Sequence, residues 1–369
     1  MKIDIRSIRT FDWITFGCMM VLSAIGLLFV MSATYQVNKP YSLYFYKQCY
    51  GIISGLALYF LILIIDYRTL QRWSYFLFII TICLLIFTLL KGKIAMGAGR
   101  WINLGFIKFQ PSELSKIFFP GFFTYYMLTE EKPLRSIIDF IPIILILGFS
   151  TLLILKQPDL GTALIILFSS AVMLWLAGLP KKFFYATLIF LSLSAPISWH
   201  LLKNYQKQRI LVFLGYGDTR KERYHLEQSK IAVGSGCFLG KGFLKGTQNK
   251  LQFLPESRTD FIFSVIGEEM GFLGAMLIII IYIVMYLRIL YTIALIHHPI
   301  YQLLAVGLSI HLIFSTIINM GMVIGLLPIV GIPLPLLSYG VTNLWITFIS
   351  LGALQGLIAR RSSINTLKT

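Results

Sequence analysis

The chain has 369 residues, 57% of them hydrophobic and 13% charged, with a mean hydropathy of +0.80 and a net charge of +17. Soluble domains carry about 25% charged residues and their cores stop growing at about 250–300 residues, so a soluble globular protein is excluded and the apolar surface must face lipid. The basic excess points to an anionic partner: nucleic acid, anionic headgroups or a phosphorylated substrate.

A membrane-crossing helix needs about 20 apolar residues. In chain order, ten stretches qualify: 13–32, 47–66, 73–91, 112–129, 135–155, 158–178, 182–202, 261–288, 300–327 and 334–357. The first follows basic residues and precedes no small-residue cleavage site, so it reads as a retained helix and not as a signal peptide. The fourth and sixth open on polar residues. An even number of crossings puts both termini on one side. Of the 32 Lys and Arg residues, 13 lie on that side and 8 in the short loops and helix ends opposite, a bias that predicts cytoplasmic termini.

The remaining 11 lie in 203–260, together with Asp218, Glu222, Glu227, Glu256 and Asp260. The expected architecture is an all-α integral membrane protein of about ten transmembrane helices, one polytopic domain over 1–369. Residues 203–260 form its large extracytoplasmic loop between helices seven and eight. Structureless loops of this length are uncommon, and Ile231, Phe238, Phe243 and Phe253 predict a segment folded back onto the membrane surface. A basic loop outside the cell disfavours nucleic acid.

Cys18, Cys49, Cys83 and Cys237 show no paired spacing and read as small hydrophobes. The glycine-rich stretch 234–242 fails as a phosphate loop, because Ser235 and Gly242 stand where Gly and Ser or Thr are needed. The five histidines show no metal-ligand spacing.

Charged groups inside a bilayer cost at least about 2.5 kcal/mol and mark function by default. Gln110, Pro111 and Ser112 lead into Glu113 and Lys116, three apart on one helix face. Glu113 and Lys116 read either as an ion pair that only neutralises two buried charges or as a functional pair that fixes the geometry where the chain turns into the membrane, and Gln110 and Ser112 are polar cavity candidates. Asp159 reads as a helix-start acid favoured by the dipole or as a substrate-facing group. Glu256, Arg258 and Asp260 stand immediately before a strongly apolar span. The helix dipole there favours an ionised Asp260, and Arg258 is a natural phosphate ligand. A cap alone would need neither Glu256 nor Arg258. Glu268 and Glu269, eight and nine residues on, would lie about 12–13 Å deeper at helical rise, with structural pairing as their expected role. Two prolines before Ser338 force an irregular start to the last span, which points weakly to a cavity wall.

The blocks GAGRWINLGFIKFQPSELSK (97–116), KQPDLGTAL (156–164), QSKIAVGSG (228–236), GKGFLKGTQNKLQFLPESRTDFIFSVIGEEMG (240–271) and LPIVGIPLPLLSYG (327–340) occur in order along the chain. Together they resemble the SEDS family (shape, elongation, division and sporulation), whose members RodA and FtsW are ten-span membrane proteins. GKGFLKGTQ followed by FLPE is more similar to the RodA branch. Val341-Thr342-Asn343 departs from the family, which commonly shows Gly and small hydroxyl residues there.

The resemblance implies a bacterial plasma-membrane enzyme that polymerises lipid II into peptidoglycan glycan strands for cell elongation. It also implies a class B penicillin-binding protein and the elongation machinery as partners. It carries the essential acid onto Asp260, the PSExxK pair onto Glu113 and Lys116, and the loop Arg-Trp onto Arg100 and Trp101. Inversion at the anomeric carbon needs one base on the acceptor hydroxyl and charge stabilisation of the leaving pyrophosphate. Asp260 is the expected base. Arg100, Lys241 and Arg258 are the expected pyrophosphate ligands, with Trp101 and Glu256 as further substrate contacts. No cofactor is certain, and a divalent cation (Mg or Mn) is left open. A lipid flippase and a non-enzymatic scaffold are the rival readings.

Overall fold

The computed structural model describes residues 11–36, 40–91, 93–95, 98–103, 108–129, 136–202, 204–216, 222–251, 253–254 and 256–366. It is mainly helical. The long helices are α1 (Trp13–Ala33), α2 (Leu43–Ile64), α3 (Tyr67–Lys91), α4 (Pro111–Thr129), α5 (Ile137–Lys156), α6 (Leu160–Leu176) and α7 (Lys181–Leu201). Beyond them come α8 (Asn204–Phe213), α9 (Glu222–Ser235), the short α10 (Thr247–Lys250), α11 (Ile262–Ala294), α12 (Pro299–Val323), α13 (Val341–Ala359) and α14 (Arg361–Asn365). Among the described residues, α1, α2, α3, α5, α11, α12 and α13 are long and apolar enough to cross a membrane, while α6 is apolar but only 17 residues long.

These helices are apolar all round, as lipid-embedded helices are. Close approach between them is set by small residues. Gly352 on α13 lies against the Tyr59 backbone of α2, where an added Cβ would come within 2.6 Å of the carbonyl oxygen, and Gly55 on α2 faces the Phe348 ring. Gly352→Val is expected to destabilise this packing by about 1–3 kcal/mol, read as a lower unfolding temperature in detergent. An unchanged unfolding temperature would show that the contact is not limiting.

The stretch between α3 and α4 holds a three-stranded antiparallel sheet, β1 (Lys93–Ala95), β2 (Ala98–Asn103) and β3 (Lys108–Phe109), where the sequence suggested only loop. Lys93 pairs with Trp101, and Ile102 with Phe109. The sheet brings β2 against α3 and α4.

α11 is not one straight crossing. Gly271 has φ 66°, ψ −163° inside it. The Asp260 carbonyl accepts from Asn319 on α12, and Tyr286 bonds the Leu312 carbonyl and the Thr316 hydroxyl of that same helix. Residues 262 and 286 would stand about 36 Å apart along a straight helix, yet both ends of that stretch meet α12 within two turns. The chain therefore doubles back at Gly271. Ser229 on α9 bonds both Ser264 and the carbonyl of Val323, the last residue of α12. Residues 262–270 thus run toward the C-terminal end of α12, and 272–294 return. Glu268 and Glu269 are consequently not deeper than Asp260, as helical rise alone suggested. They lie at the turn of this hairpin, where Ser32 in the last turn of α1 donates to Glu269 at 2.5 Å.

Candidate active site

The Asp260 turn is held from several elements at once. Glu256 adopts a left-handed backbone (φ 53°), a conformation costly for a residue other than glycine. The Thr259 amide and hydroxyl both bond Glu256, which stabilises it. The carbonyls of three consecutive residues then point outward to partners. Arg258 O accepts from the Tyr339 amide at 2.8 Å, Thr259 O from the Ser338 hydroxyl at 2.6 Å, and Asp260 O from Asn319 Nδ2 at 2.9 Å. Phe261 is the N-cap of α11, so Asp260 stands one residue outside the helix, half-buried.

The irregular segment 328–340 forms the opposing wall. Pro333, Pro335 and the left-handed Leu336 (φ 68°) keep it out of helix until Val341. The Ser338 hydroxyl accepts from the Leu334 amide, and Gln48 of α2 bonds the Ser338 carbonyl and the Gly340 amide. Tyr282 donates to the Pro335 carbonyl. Gly331 (φ 77°) faces the acid, since a Cβ there would lie 3.4 Å from Asp260 Oδ2.

A second polar cluster reaches the same segment from the other side. Asp159 caps α6 by accepting from the Thr162 amide, and its other oxygen accepts from Gln110 at 2.5 Å and from Ser112 at 3.0 Å. Asp159 is thus a helix-start acid, as one of its two readings expected, with its second oxygen held by side chains of α4 and its approach. Gly161 beside it packs on the carbonyls of Val330 and Gly331. One turn further along α4, Lys116 Nζ lies 2.6 Å from Glu113 Oε1, both side chains buried, and Thr162 Oγ1 is 3.5 Å from the same oxygen.

Cations predicted to meet pyrophosphate fall in different places. The Arg258 guanidinium lies 4.1 Å from the centroid of the Tyr44 ring, which meets Tyr339 edge-on. Lys241 is paired with Glu268 at 2.6 Å, and Glu268 also accepts from the amides of Thr247 and Gln248. Glu269 accepts from the Leu244 amide. Together the two glutamates bind the glycine-rich loop to the hairpin, the structural pairing expected of them, and engage Lys241 there. Arg100 and Trp101 lie on β2, Trp101 half-buried; the Arg100 side chain lies outside the described residues.

Three residues that sequence reasoning passed over contribute to the site. Gln48 and Asn319 are neutral amides inside apolar helices, both fully buried. Arg209 on α8 donates to the Val330 carbonyl at 3.3 Å, one residue from Gly331. For the two amides the signal was a polar residue in an apolar run, which is weak without a charge; Arg209 was one of 11 Lys and Arg residues in 203–260, with nothing to single it out.

Beside this polar centre an apolar cavity of about 450 Å³ opens between α2, α4, β3 and α13. It is lined by Leu58, Leu61, Phe109, Leu114, Thr342 and Trp345, among others. A half-buried carboxylate, Arg258 on the same turn, Arg209 on the opposing wall and an apolar cavity together suit an amphiphilic, phosphorylated substrate.

Peptidoglycan glycosyltransferase MrdB of Escherichia coli (strain K12) is 37% identical to this chain over 316 residues, 85% of each. MrdB of Helicobacter pylori (strain J99) is 36% identical over 368 residues, 98% of this chain and 93% of that one. Peptidoglycan glycosyltransferase RodA of Treponema pallidum is 30% identical over 97% of this chain and 99% of its own. Among solved structures, a chain of a peptidoglycan synthase complex that coordinates polymerization and crosslinking superposes with a TM-score of 0.81 at 28% identity, covering 95% of this chain and 98% of that one. The rod shape determining protein RodA of Thermus thermophilus superposes with a TM-score of 0.71 at 26% identity, covering 95% and 97%. The family model for FtsW, RodA and SpoVE, described as cell cycle protein, matches residues 12–363, and the chain belongs to that family.

Proposed function

We propose that this chain is a peptidoglycan glycosyltransferase that polymerises lipid II, with Asp260 as the base. The acceptor sugar hydroxyl attacks the anomeric carbon of the donor. The new glycosidic bond forms as the bond to polyprenyl pyrophosphate breaks, and the hydroxyl proton passes to the Asp260 carboxylate. A single displacement inverts the anomeric centre, and pyrophosphate leaves without a second carboxylate as acid. The observation that carries this reading is the backbone-anchored, half-buried Asp260 facing Gly331, between the Arg258 turn and the Arg209–Val330 contact.

Lipid geometry fits the same centre. The apolar cavity lined by Thr342 takes polyprenyl methylenes, and Arg258 and Arg209 are the cations we assign to the pyrophosphate, with Arg100 carried over from the family resemblance. Lys241 joins them only if its pair with Glu268 opens. Among the described residues no three His, Cys, Asp or Glu side chains gather as metal ligands. In this reading α1–α7 and α11–α13 are the ten crossings, 203–260 is extracytoplasmic, and both termini are cytoplasmic. The active centre lies on the outer face of the plasma membrane, where a class B penicillin-binding protein crosslinks the product.

Purified chain incubated with lipid II, with and without magnesium and the transpeptidase partner, is expected to yield glycan polymer on a denaturing gel. Lipid translocation in vesicles without polymer in any condition would favour the flippase reading and overturn this one.

A further inference from the structure

We propose that Asn319 and Ser338 are positioning residues for the glycosyl transfer, clamping the backbone of the Asp260 turn so that its carboxylate meets the acceptor hydroxyl. This rests on the reading of Asp260 as base.

Three consecutive carbonyls, 258 to 260, precede α11. The first carbonyl used by that helix is Phe261 O, which accepts from Ser264 and Val265. The three before it have no role in the helix, and in an open turn water would take them. Here each is held by another part of the fold: the Tyr339 amide, the Ser338 hydroxyl and the Asn319 amide. Two of the three donors are side chains, chosen by sequence and not supplied automatically by the backbone.

Each side chain also grips the opposing wall. Asn319 Nδ2 donates its second hydrogen to Ile332 O at 2.7 Å, next to the Gly331 that faces Asp260 Oδ2. Ser338 Oγ accepts from the Leu334 amide at 2.8 Å while donating to Thr259 O. The turn carrying the acid and the wall opposite it are therefore fixed to each other through two side chains. Asn319 is an expensive choice for packing alone. It is fully buried, and its Oδ1 has no hydrogen-bond partner among the described residues. A leucine there would avoid burying an unsatisfied carbonyl, so what distinguishes asparagine is the donor it aims at the two carbonyls. A displacement of about 1 Å at a reacting group costs on the order of 100-fold in rate, which is the lever such a clamp controls.

The test uses full-length protein in a lipid II polymerisation assay, with variants Asn319→Leu, Ser338→Ala, Ser338→Thr and Asp260→Asn. Unfolding temperatures are measured alongside. Expected are kcat losses of about 10- to 100-fold for Asn319→Leu and Ser338→Ala, with KM for lipid II within about threefold and the folded fraction intact. Ser338→Thr, which keeps the hydroxyl, should recover most of the rate. The clamp is overturned if Asp260→Asn is inactive while Ser338→Ala turns over like the parent. It is also overturned if the loss lies in KM, or if threonine fails to rescue. Should Asn319→Leu not fold, the serine pair decides alone. A normally active Asp260→Asn would instead remove the base itself, whatever the clamp variants do.

Discussion

Asp260→Asn is expected to lower the rate of polymer formation by about 100- to 10,000-fold, the contribution of a positioned general base, with little change in unfolding temperature. Asparagine matches the acid in shape, and the anchors at residues 258, 259 and 260 are backbone carbonyls that the substitution leaves in place. The loss should therefore isolate the proton transfer from the geometry. Lipid II binding should survive, because the groups assigned to the pyrophosphate and the polyprenyl chain lie elsewhere: Arg258 over Tyr44, Arg209 at Val330, and the cavity lined by Thr342. The measurement is lipid II consumption by purified variant and parent, paired with a binding assay. A rate within a few-fold of the parent would remove Asp260 as base. The scaffold reading predicts instead that the purified parent itself consumes no lipid II and that Asp260 substitutions leave wall synthesis in cells intact.

The helices were legible in the sequence because lipid leaves the backbone few alternatives: a long apolar run must satisfy its own hydrogen bonds. What lay between the runs was less readable, and for physical reasons. The strands around Trp101 are short and flanked by glycine, with too few residues to show a period of two. The predicted last span opened at residue 334, but the prolines and the positive φ of Leu336 hold helix off until Val341. The break at Gly271 was hidden among glycines at 267 and 274, since composition does not say which one takes the left-handed turn. Missing it placed Glu268 and Glu269 on the wrong side of Asp260 in depth. For the site, charge in the sequence did not say which group each cation meets. Lys241 stands in a basic, glycine-rich loop, yet its partner is the glutamate 27 residues later. Gln48 and Asn319 carry no charge, so nothing in the sequence raised them above ordinary residues of an apolar helix.

Lys116→Met is expected to destabilise the protein by about 3–5 kcal/mol, the cost of leaving one member of a buried ion pair alone. Lys116 Nζ and Glu113 Oε1 are 2.6 Å apart with side chains 3% and 5% exposed, so solvent does little to screen either charge. Glu113 Oε2 has no hydrogen-bond partner among the described residues, and without the ammonium the carboxylate would rest on the long Thr162 contact alone. The double variant Glu113→Gln, Lys116→Met removes both charges and should recover most of the unfolding temperature, because a buried pair replaced by neutral groups of similar volume is often close to neutral in stability. Activity then distinguishes the two readings of the pair. If the pair only neutralises buried charge, the folded double variant polymerises lipid II like the parent. If it also shapes the polar wall through Thr162, Asp159 and the contact of Gly161 with the Val330 and Gly331 carbonyls, the double variant is stable but slow. A single Lys116→Met variant that unfolds at the parent temperature would show that Glu113 tolerates burial alone, and the ion pair would lose its structural role.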